Sequence, residues 1–387
     1  YGNVGSGSGI VVNAANGVDF DIFSDVSTPS APVNSAFLTA TPSGASFDNL
    51  YTVSLTAGTA TPVDRIGNGS NLSGVAALPT ADPNAVLWTG NVGPDWGTAG
   101  NWSPMRVPGA TDNVFIPTGR PNQPTVSSAQ QANNLALGIG TTLTTAPGGV
   151  LSLNGNFANN SGTLAGSGSG EVRFVGTTAQ SISGTVSSFQ NLTAANAAGV
   201  TASGPVQVVQ VLRATNNLAS GGNVTLLSSA DGTALIAEAG GQVTGNITVQ
   251  RYIDPSRNSG LGYRHYGAPV SGSTVNDLAT TGFSPVVNPD FNTSATPGQV
   301  SPFPTVYSYN QDRIATVTSS YSDFDKGWVS PGALTDALVV GTGYAVNIPG
   351  TALVDFVGTA NRGAVTVAAA RGTSADAGWQ LLANPYP

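Results

Sequence analysis

Reactive side chains are scarce in this sequence and stand far apart. The chain has no cysteine and a single histidine, His265, so thiolate chemistry and metal sites built from several His or Cys ligands are excluded. A Ser–His triad would depend on His265, which lies in a strand-like stretch, and no Gly-x-Ser-x-Gly motif stands between a strand and a helix. We therefore expect a structural role for His265.

Paired carboxyl groups, which glycosidases require, are also missing from the pattern. The two glutamates, Glu171 and Glu238, are widely separated. Between residues 125 and 253 six side chains are charged at neutral pH, and none is Lys or His: Glu171, Arg173, Arg213, Asp231, Glu238 and Arg251. Glu171 and Arg173 would share one face of a strand, which suits an ion pair better than an acid and a base. The sequence predicts that the protein is not an enzyme.

Only oxygen ligands remain for a metal ion, which leaves calcium as the alternative to no cofactor at all. The best local cluster is Ser322 with Asp323 and Asp325, and the next is Asp19 with Asp21. Neither follows the calcium-loop pattern, which has a central Gly and a terminal Glu. We interpret these acids as solvated turn residues and predict no catalytic, cofactor or metal site.

Three tryptophans, Trp88, Trp96 and Trp102, form the densest aromatic group. One interpretation is a cap, because the open end of a stack of β-coils exposes apolar core that large rings can cover. The alternative is a platform on which sugar rings stack.

The composition limits the partners of these side chains. Charged residues make up 8% of the 387, and the net charge is −8, so there is no basic surface for nucleic acid. No apolar run is long enough to span a bilayer. The absence of Cys fits an exported bacterial surface protein, with a leader expected upstream of Tyr1 or already cleaved. Frequent Gly and Pro argue against long helices, so we expect an all-β protein.

Residues 1–80 contain short strand-like runs at Ile10–Val12, Phe20–Ile22, Ala36–Leu38 and Leu50–Leu55. The phrase that begins at Asn49, NLYTVSLTAGTATPVDRIG, predicts two strands around a tight turn at Ala57-Gly58. It resembles the closing blade of a propeller-like domain of secreted bacterial proteins. That resemblance implies a partial propeller, because the region is too short for four blades.

Residues 84–254 follow a short linker at 82–84 and open with a Trp-rich phrase, WTG…DW…NWS…VPGATDNV. This phrase is similar to the opening segment of β-solenoid regions in bacterial adhesins and surface proteins. Apolar segments then recur roughly every 20 residues, a period typical of solenoid coils. They are Leu151–Leu153, Val172–Val175, Phe189–Leu192, Val206–Leu212, Val224–Leu227 and Ile247–Val249. An antiparallel sandwich is the alternative for this region.

Residues 255–387 carry more aromatics, with the phrases GYRHYGAPVSG from Gly262, GTGYAV from Gly341 and GWQLLANPYP from Gly378. Their order resembles a β-sandwich region of large secreted proteins of the Bacteroidota. Such proteins commonly end in a sorting domain for type IX secretion, which we expect beyond Pro387.

The sequence as a whole predicts a partial propeller-like blade, a central parallel β-solenoid and a β-sandwich. We expect an extracellular, non-catalytic structural or adhesive protein of a bacterial cell surface, acting as a spacer or as a fibre or surface-layer component. Expected partners are copies of itself or other surface proteins, and glycans. One alternative is a carbohydrate-binding module that uses Trp88, Trp96, Trp102, Trp328 or Trp379 as a stacking surface. A less favoured alternative is a polysaccharide-degrading β-helix.

Overall fold

A computed structural model describes residues 19–25, 33–43, 48–54, 59–65, 82, 84–256, 258–315, 326–373, 375 and 377–387. The predicted strand at Ile10–Val12, the turn at Ala57-Gly58 and the acidic cluster at residues 322–325 lie outside them. The chain divides into two compact units, residues 1–86 and 87–387. In the described part, regular structure consists of β-strands and short 3-10 helices, and the all-β prediction is confirmed.

The first unit is a four-stranded antiparallel meander in the order β1-β2-β3-β4. Its strands are β1 (Asp19–Asp25), β2 (Val33–Ala40), β3 (Asn49–Val53) and β4 (Ala60–Arg65). Leu38, Ala40 and Tyr51 form its small buried cluster. Four antiparallel strands in sequence order are what one propeller blade contains, in agreement with the predicted blade. Asp19 and Asp21 lie in strand β1, so the expectation that they are turn residues is wrong.

The second unit begins with a parallel β-solenoid of about six turns, as predicted. Its strands, in chain order, are β5 (Ala85–Trp88), β6 (Trp102–Ser103), β7 (Asn113–Ile116), β8 (Thr125–Val126), β9 (Ala129–Ala132), β10 (Leu135–Leu137), β11 (Thr142–Thr145), β12 (Val150–Leu153), β13 (Phe157–Asn159), β14 (Thr163–Gly166), β15 (Glu171–Phe174), β16 (Gln180–Gly184), β17 (Ser187–Ala194), β18 (Val200–Ala202), β19 (Val206–Ala214), β20 (Leu218–Ala219), β21 (Val224–Leu226), β22 (Ser228–Ser229), β23 (Gly232–Thr233), β24 (Leu235–Glu238), β25 (Val243–Thr244) and β26 (Asn246–Tyr252). A 3-10 turn at Ala99–Asn101 precedes β6.

Two long sheets and one short sheet form the walls of the solenoid. The nine-stranded sheet runs β25-β20-β18-β16-β13-β10-β7-β5-β6, and the three-stranded sheet runs β14-β11-β8. The ten-stranded sheet contains β9, β12, β15, β17, β19, β21 and β26 as successive neighbours. All six apolar segments predicted from the sequence lie in this last sheet. The period seen in the sequence is therefore the coil repeat of one wall.

Stacked apolar rows hold the coils together. In the ten-stranded sheet Leu151 pairs in register with Val172, Val172 with Leu192, and Leu192 with Leu212. All four are buried, whereas their neighbours along the strands are more exposed. Because successive strand residues point to opposite faces, this alternation places one row inside the coil and the next on its surface.

The remainder of the second unit is antiparallel. Its strands are β27 (Leu261–Tyr266), β28 (Val270–Ser271), β29 (Val306–Tyr309), β30 (Trp328–Val329), β31 (Tyr344–Pro349) and β32 (Leu353–Ala360), with 3-10 turns at Val275–Leu278, Pro289–Asn292, Pro297–Gln299 and Gln311–Ala315. One sheet has the order β27-β31-β29-β30, and β32 joins the solenoid's ten-stranded sheet. The Tyr266 ring of the first lies 6.1 Å from the Phe356 ring of the second, so the two sheets contact each other at this point.

The predicted boundary at residues 254 and 255 does not separate two compact units. Strand β26, the last of the solenoid, pairs antiparallel with β32 along its whole length, from Asn246 with Thr359 to Tyr252 with Leu353. Residues 87–387 form one unit for this reason. The sandwich is thus built directly on the final coil.

Candidate functional site

The three clustered tryptophans form a buried aromatic group. The Trp102 ring lies 4.8 Å from the Trp88 ring and 4.7 Å from the Trp96 ring, both in edge-to-face geometry. Trp102 Nε1 donates to the Trp96 carbonyl oxygen at 2.8 Å, and Trp88 Nε1 donates to the Asn122 carbonyl oxygen at 2.7 Å. These bonds fix the orientation of two of the rings.

The position of this group agrees with a cap. Trp88 and Trp102 lie on β5 and β6, which end the nine-stranded sheet. Trp88 and Trp96 are 0% exposed and Trp102 is 1% exposed. A stacking platform needs an accessible ring face, so the alternative interpretation of Trp88, Trp96 and Trp102 as a sugar-binding surface is wrong for this structure.

A shallow groove of about 350 Å³ lies on the outer face of the solenoid, and two charged side chains, Glu171 and Arg213, line it. Arg173 Nη2 donates to Glu171 Oε2 at 2.8 Å, so the predicted ion pair is present. The Glu171 side chain is only 14% exposed, which makes the pair more buried than expected. Thr193, one strand away, also donates to the Glu171 carboxylate, and Arg213 lines the same groove.

The electrostatics of Glu171 do not suit proton transfer. Burial acts to raise its pKa, but the hydrogen bonds from Arg173 and Thr193, with the charges of Arg173 and Arg213, outweigh it and lower the pKa overall. The carboxyl group is therefore held ionised and hydrogen-bonded. A general acid needs the opposite shift, and a base needs a free lone pair directed at the substrate.

A second recess, of about 150 Å³, lies on the outward face of the sheet formed by β27, β31, β29 and β30. Its lining residues are mostly aromatic: Tyr263, His265, Tyr307, Trp328 and Ala345. His265, Ala345 and Tyr307 form one row across three neighbouring strands, because His265 pairs with Ala345 and Ala345 pairs with Tyr307. We call this recess the aromatic pocket.

The floor of the aromatic pocket is rigidly packed. Tyr307 is 2% exposed, its hydroxyl donates to the Pro304 carbonyl oxygen at 2.5 Å, and its ring meets Phe291 at 5.3 Å. Burial and the neighbouring Tyr263 raise the pKa of the Tyr307 hydroxyl, which stays neutral. Behind Phe291, the guanidinium of Arg313 lies 5.4 Å from the ring centre and donates to the Phe291 carbonyl oxygen at 2.9 Å.

The walls of the aromatic pocket remain accessible. Tyr263 is 45% exposed, and His265 is exposed as well. The Trp328 ring packs edge-on against Tyr307 at 6.4 Å and against Tyr309 at 5.4 Å. Sequence reasoning named Trp328 as a possible stacking residue but missed the pocket, although the alternation Tyr263-Arg264-His265 already placed Tyr263 and His265 on one face. Tyr307 and Trp328 reach it through strand pairing that no local pattern reveals.

Among the described residues, no three His, Cys, Asp or Glu side chains are grouped so that they could hold a metal ion. Over the same part of the chain, no helix has the length and apolar character needed to cross a membrane. The side chain of Glu238, on β24, lies outside the description.

Comparison with known families gives two partial matches. A domain of unknown function, DUF4394, matches residues 2–76, and another domain of unknown function, DUF8693, matches residues 87–172. The second match contains the three tryptophans of the cap and the strands from β6 to β14. The interval between the two matches contains the linker predicted at residues 82–84. No curated protein and no solved structure matches the chain.

Proposed function

We propose that this chain is a non-catalytic structural or adhesive protein of a bacterial cell exterior, used as a spacer or as a fibre or surface-layer component. The observation that carries the proposal is the chemistry of the solenoid surface. Its walls present neutral Ser, Thr, Asn and Gln side chains between buried apolar rows, and the carboxylate in its groove, that of Glu171, is paired with Arg173. A surface of this kind supports contact between proteins, because little ion desolvation opposes association.

The internal hydrogen bonds of the coils support a mechanical role. Gln180, which is 2% exposed, donates to the Leu153 carbonyl oxygen at 2.9 Å and accepts from the Gly176 backbone nitrogen at 2.9 Å. Buried Asn196 donates to Gln180 Oε1 at 2.9 Å. Neutral networks that join several coils make each coil depend on its neighbours, which favours resistance to local opening.

Export, a cell-surface position and an origin in the Bacteroidota with type IX secretion belong to the same proposal. Their support is the absence of Cys and the low charge, together with the resemblances of the Asn49 and Gly262 phrases. Treatment of intact producing cells with a membrane-impermeant, amine-reactive label or with a protease tests the position. Protection of the protein from both reagents would contradict it.

The alternative of a polysaccharide-degrading β-helix has weaker support, since the groove holds one described carboxylate, that of Glu171, tied to Arg173. Release of reducing ends from a polysaccharide panel measures this activity. Release of reducing ends by the wild type that is lost in Glu171→Gln would favour the polysaccharide-degrading alternative.

Self-association is the main solution test of the structural role. We expect light scattering and sedimentation to show a particle mass that rises with concentration and stays high in salt, because neutral contacts are weakly screened. A single monomer mass at all concentrations, together with no adhesion of protein-coated beads to cells or matrix, would overturn the proposal.

A further inference from the structure

We propose that the aromatic pocket binds one ring of a neutral saccharide. The inference rests on the proposed adhesive function and gives it a ligand class and a place, on the outward face of the β27-β31-β29-β30 sheet. The pocket differs from the buried tryptophan cap in having both a closed floor and accessible walls.

The shape of the pocket results from one small residue. Ala345 stands between His265 and Tyr307 in the cross-strand row, and it is 3% exposed. A larger side chain at this position would fill the recess between its two neighbours. Ala345 therefore acts as the floor, while Tyr263, His265 and Trp328 surround the opening. The volume of about 150 Å³ suits a single six-membered ring rather than an extended chain.

The lining has the chemistry that a pyranose requires. A sugar ring presents a face of C–H groups and an edge of hydroxyls, so it combines aromatic contact with a few directed hydrogen bonds. Tyr263 and Trp328, which stand at the accessible walls, supply the apolar contact, and Tyr307 supports the floor beneath them. The imidazole of His265, exposed at the rim, supplies one donor and one acceptor when neutral.

The charge of the lining selects a neutral ligand. None of the five lining residues is a carboxylate, a lysine or an arginine. Arg313 lies behind Phe291 with its guanidinium on backbone carbonyls, and Arg264 belongs to the other face of β27, where it donates to the Asn258 carbonyl oxygen. Among the described lining residues, an acidic sugar would find no Lys or Arg. A quaternary ammonium group forms no hydrogen bonds and would leave the donor and acceptor of the neutral His265 imidazole without a partner in the ligand. The neutral saccharide fits best.

The test is calorimetric titration of the whole chain with neutral hexasaccharides of glucose, galactose, mannose, xylose and N-acetylglucosamine, each in turn. Choline and a hexagalacturonate serve as the competing ligand classes. We expect at least one neutral oligosaccharide to bind, and we expect Ala345→Leu and Tyr263→Ala each to weaken its binding at least tenfold. Trp379→Ala is the matched control, because Trp379 is 75% exposed and does not line the pocket.

Tyr263→Ala keeps the test decisive if Ala345→Leu fails to fold, since the Tyr263 side chain stands at the rim. Binding of no neutral oligosaccharide, binding unchanged in the Tyr263 variant, or preferential binding of choline or hexagalacturonate would each overturn the inference. Light scattering of the same variants separates the two proposals. A protein that self-associates but binds no sugar would contradict the saccharide site and leave the structural role standing. A monomer that binds sugar would contradict the structural role and leave the saccharide site standing.

Discussion

Asn134 Nδ2 donates a hydrogen bond to Asn113 Oδ1 at 2.8 Å, and so joins one coil of the solenoid to the coil before it. The pattern continues upward. Asn134 Oδ1 accepts from the Asn156 backbone nitrogen at 2.7 Å, and Asn156 Oδ1 accepts from the Ser181 backbone nitrogen at 2.8 Å. Stacked amide side chains thus satisfy backbone groups at a corner where the chain leaves one wall and enters the next.

Replacement of Asn134 by Ala should destabilise the solenoid by about 1–3 kcal/mol, because the Asn156 backbone nitrogen loses its acceptor in a half-buried corner. Chemical denaturation followed by circular dichroism measures the change. Asn160→Ala is the matched control, since Asn160 is an exposed amide of the same region. Equal stability of the two variants would show that the amide ladder contributes nothing.

Trp102→Ala should lower the free energy of unfolding by about 3–5 kcal/mol, because it removes the ring that contacts both other tryptophans of the cap. Trp102→Phe keeps an aromatic ring but loses the hydrogen bond to the Trp96 carbonyl oxygen, and should cost less. Tryptophan fluorescence and thermal unfolding follow both variants. Trp379→Ala, at an exposed site, should change stability by no more than about 0.5 kcal/mol. If Trp102→Ala were as stable as the Trp379→Ala control, the capping role would be refuted.

Ala substitutions at Gly184 and Gly199 separate the cost of an unfavourable backbone conformation from the cost of a steric clash. Their φ angles are +93° and +92°, values that residues other than glycine rarely adopt. A Cβ at Gly184 would lie 2.1 Å from the Asn159 carbonyl oxygen, whereas nothing lies within 4 Å of a Cβ at Gly199. We expect Gly199→Ala to lower the free energy of unfolding by about 1–3 kcal/mol through backbone strain alone. Gly184→Ala should cost more than about 4 kcal/mol, since the neighbouring coil must move. Similar unfolding midpoints for both variants would contradict this reasoning.

Acid should weaken the beginning of the solenoid through Asp112, which is 4% exposed. Hydrogen bonds from the Arg106 side chain, including Nη2 to Oδ1 at 2.6 Å, lower the pKa of Asp112, and one from the Gly109 backbone nitrogen lowers it further. A lowered pKa in the folded state means stabilisation that is present above the unfolded pKa of about 3.9 and lost as pH falls through the folded value.

The measurement is the stability of wild type and Asp112→Asn between pH 7 and pH 2. We expect the wild type to be the more stable protein at pH 7 and the difference to vanish toward pH 2. Asp231→Asn, an exposed loop acid, is the control and should leave the profile unchanged. A difference of constant size at every pH would exclude the ionised Asp112 as its source.

One wall of the solenoid was predictable from sequence, and the other walls were not. Strands β12, β15, β17 and β19 of the ten-stranded sheet carry recurring Leu, Val and Phe residues, which a periodic pattern reveals. In the nine-stranded sheet β20 and β25 have only two residues each, too few for alternation to be recognised.

Long-range pairing explains what local patterns missed in the C-terminal part. The pairing of β26 with β32 joins residues about a hundred positions apart. The change in composition after residue 254 suggested a domain boundary there, but residues on both sides belong to the same compact unit. The burial of the three tryptophans followed from the need to cover a coil end, whereas the aromatic pocket depends on the placement of β29 between β31 and β30.

The two antiparallel strand pairings restrict how copies of this protein can polymerise. At its first coil, β6 pairs antiparallel with β5 and ends the nine-stranded sheet. At its last coil, β32 pairs antiparallel with β26, and β28 lies beyond β32 at the end of the ten-stranded sheet. A head-to-tail filament in which one copy continues the parallel ladders of the next would need both long edges vacant at the same terminus. In the part of the chain that the structure describes, neither end of the solenoid offers this, so the two pairings block that one mode of polymerisation.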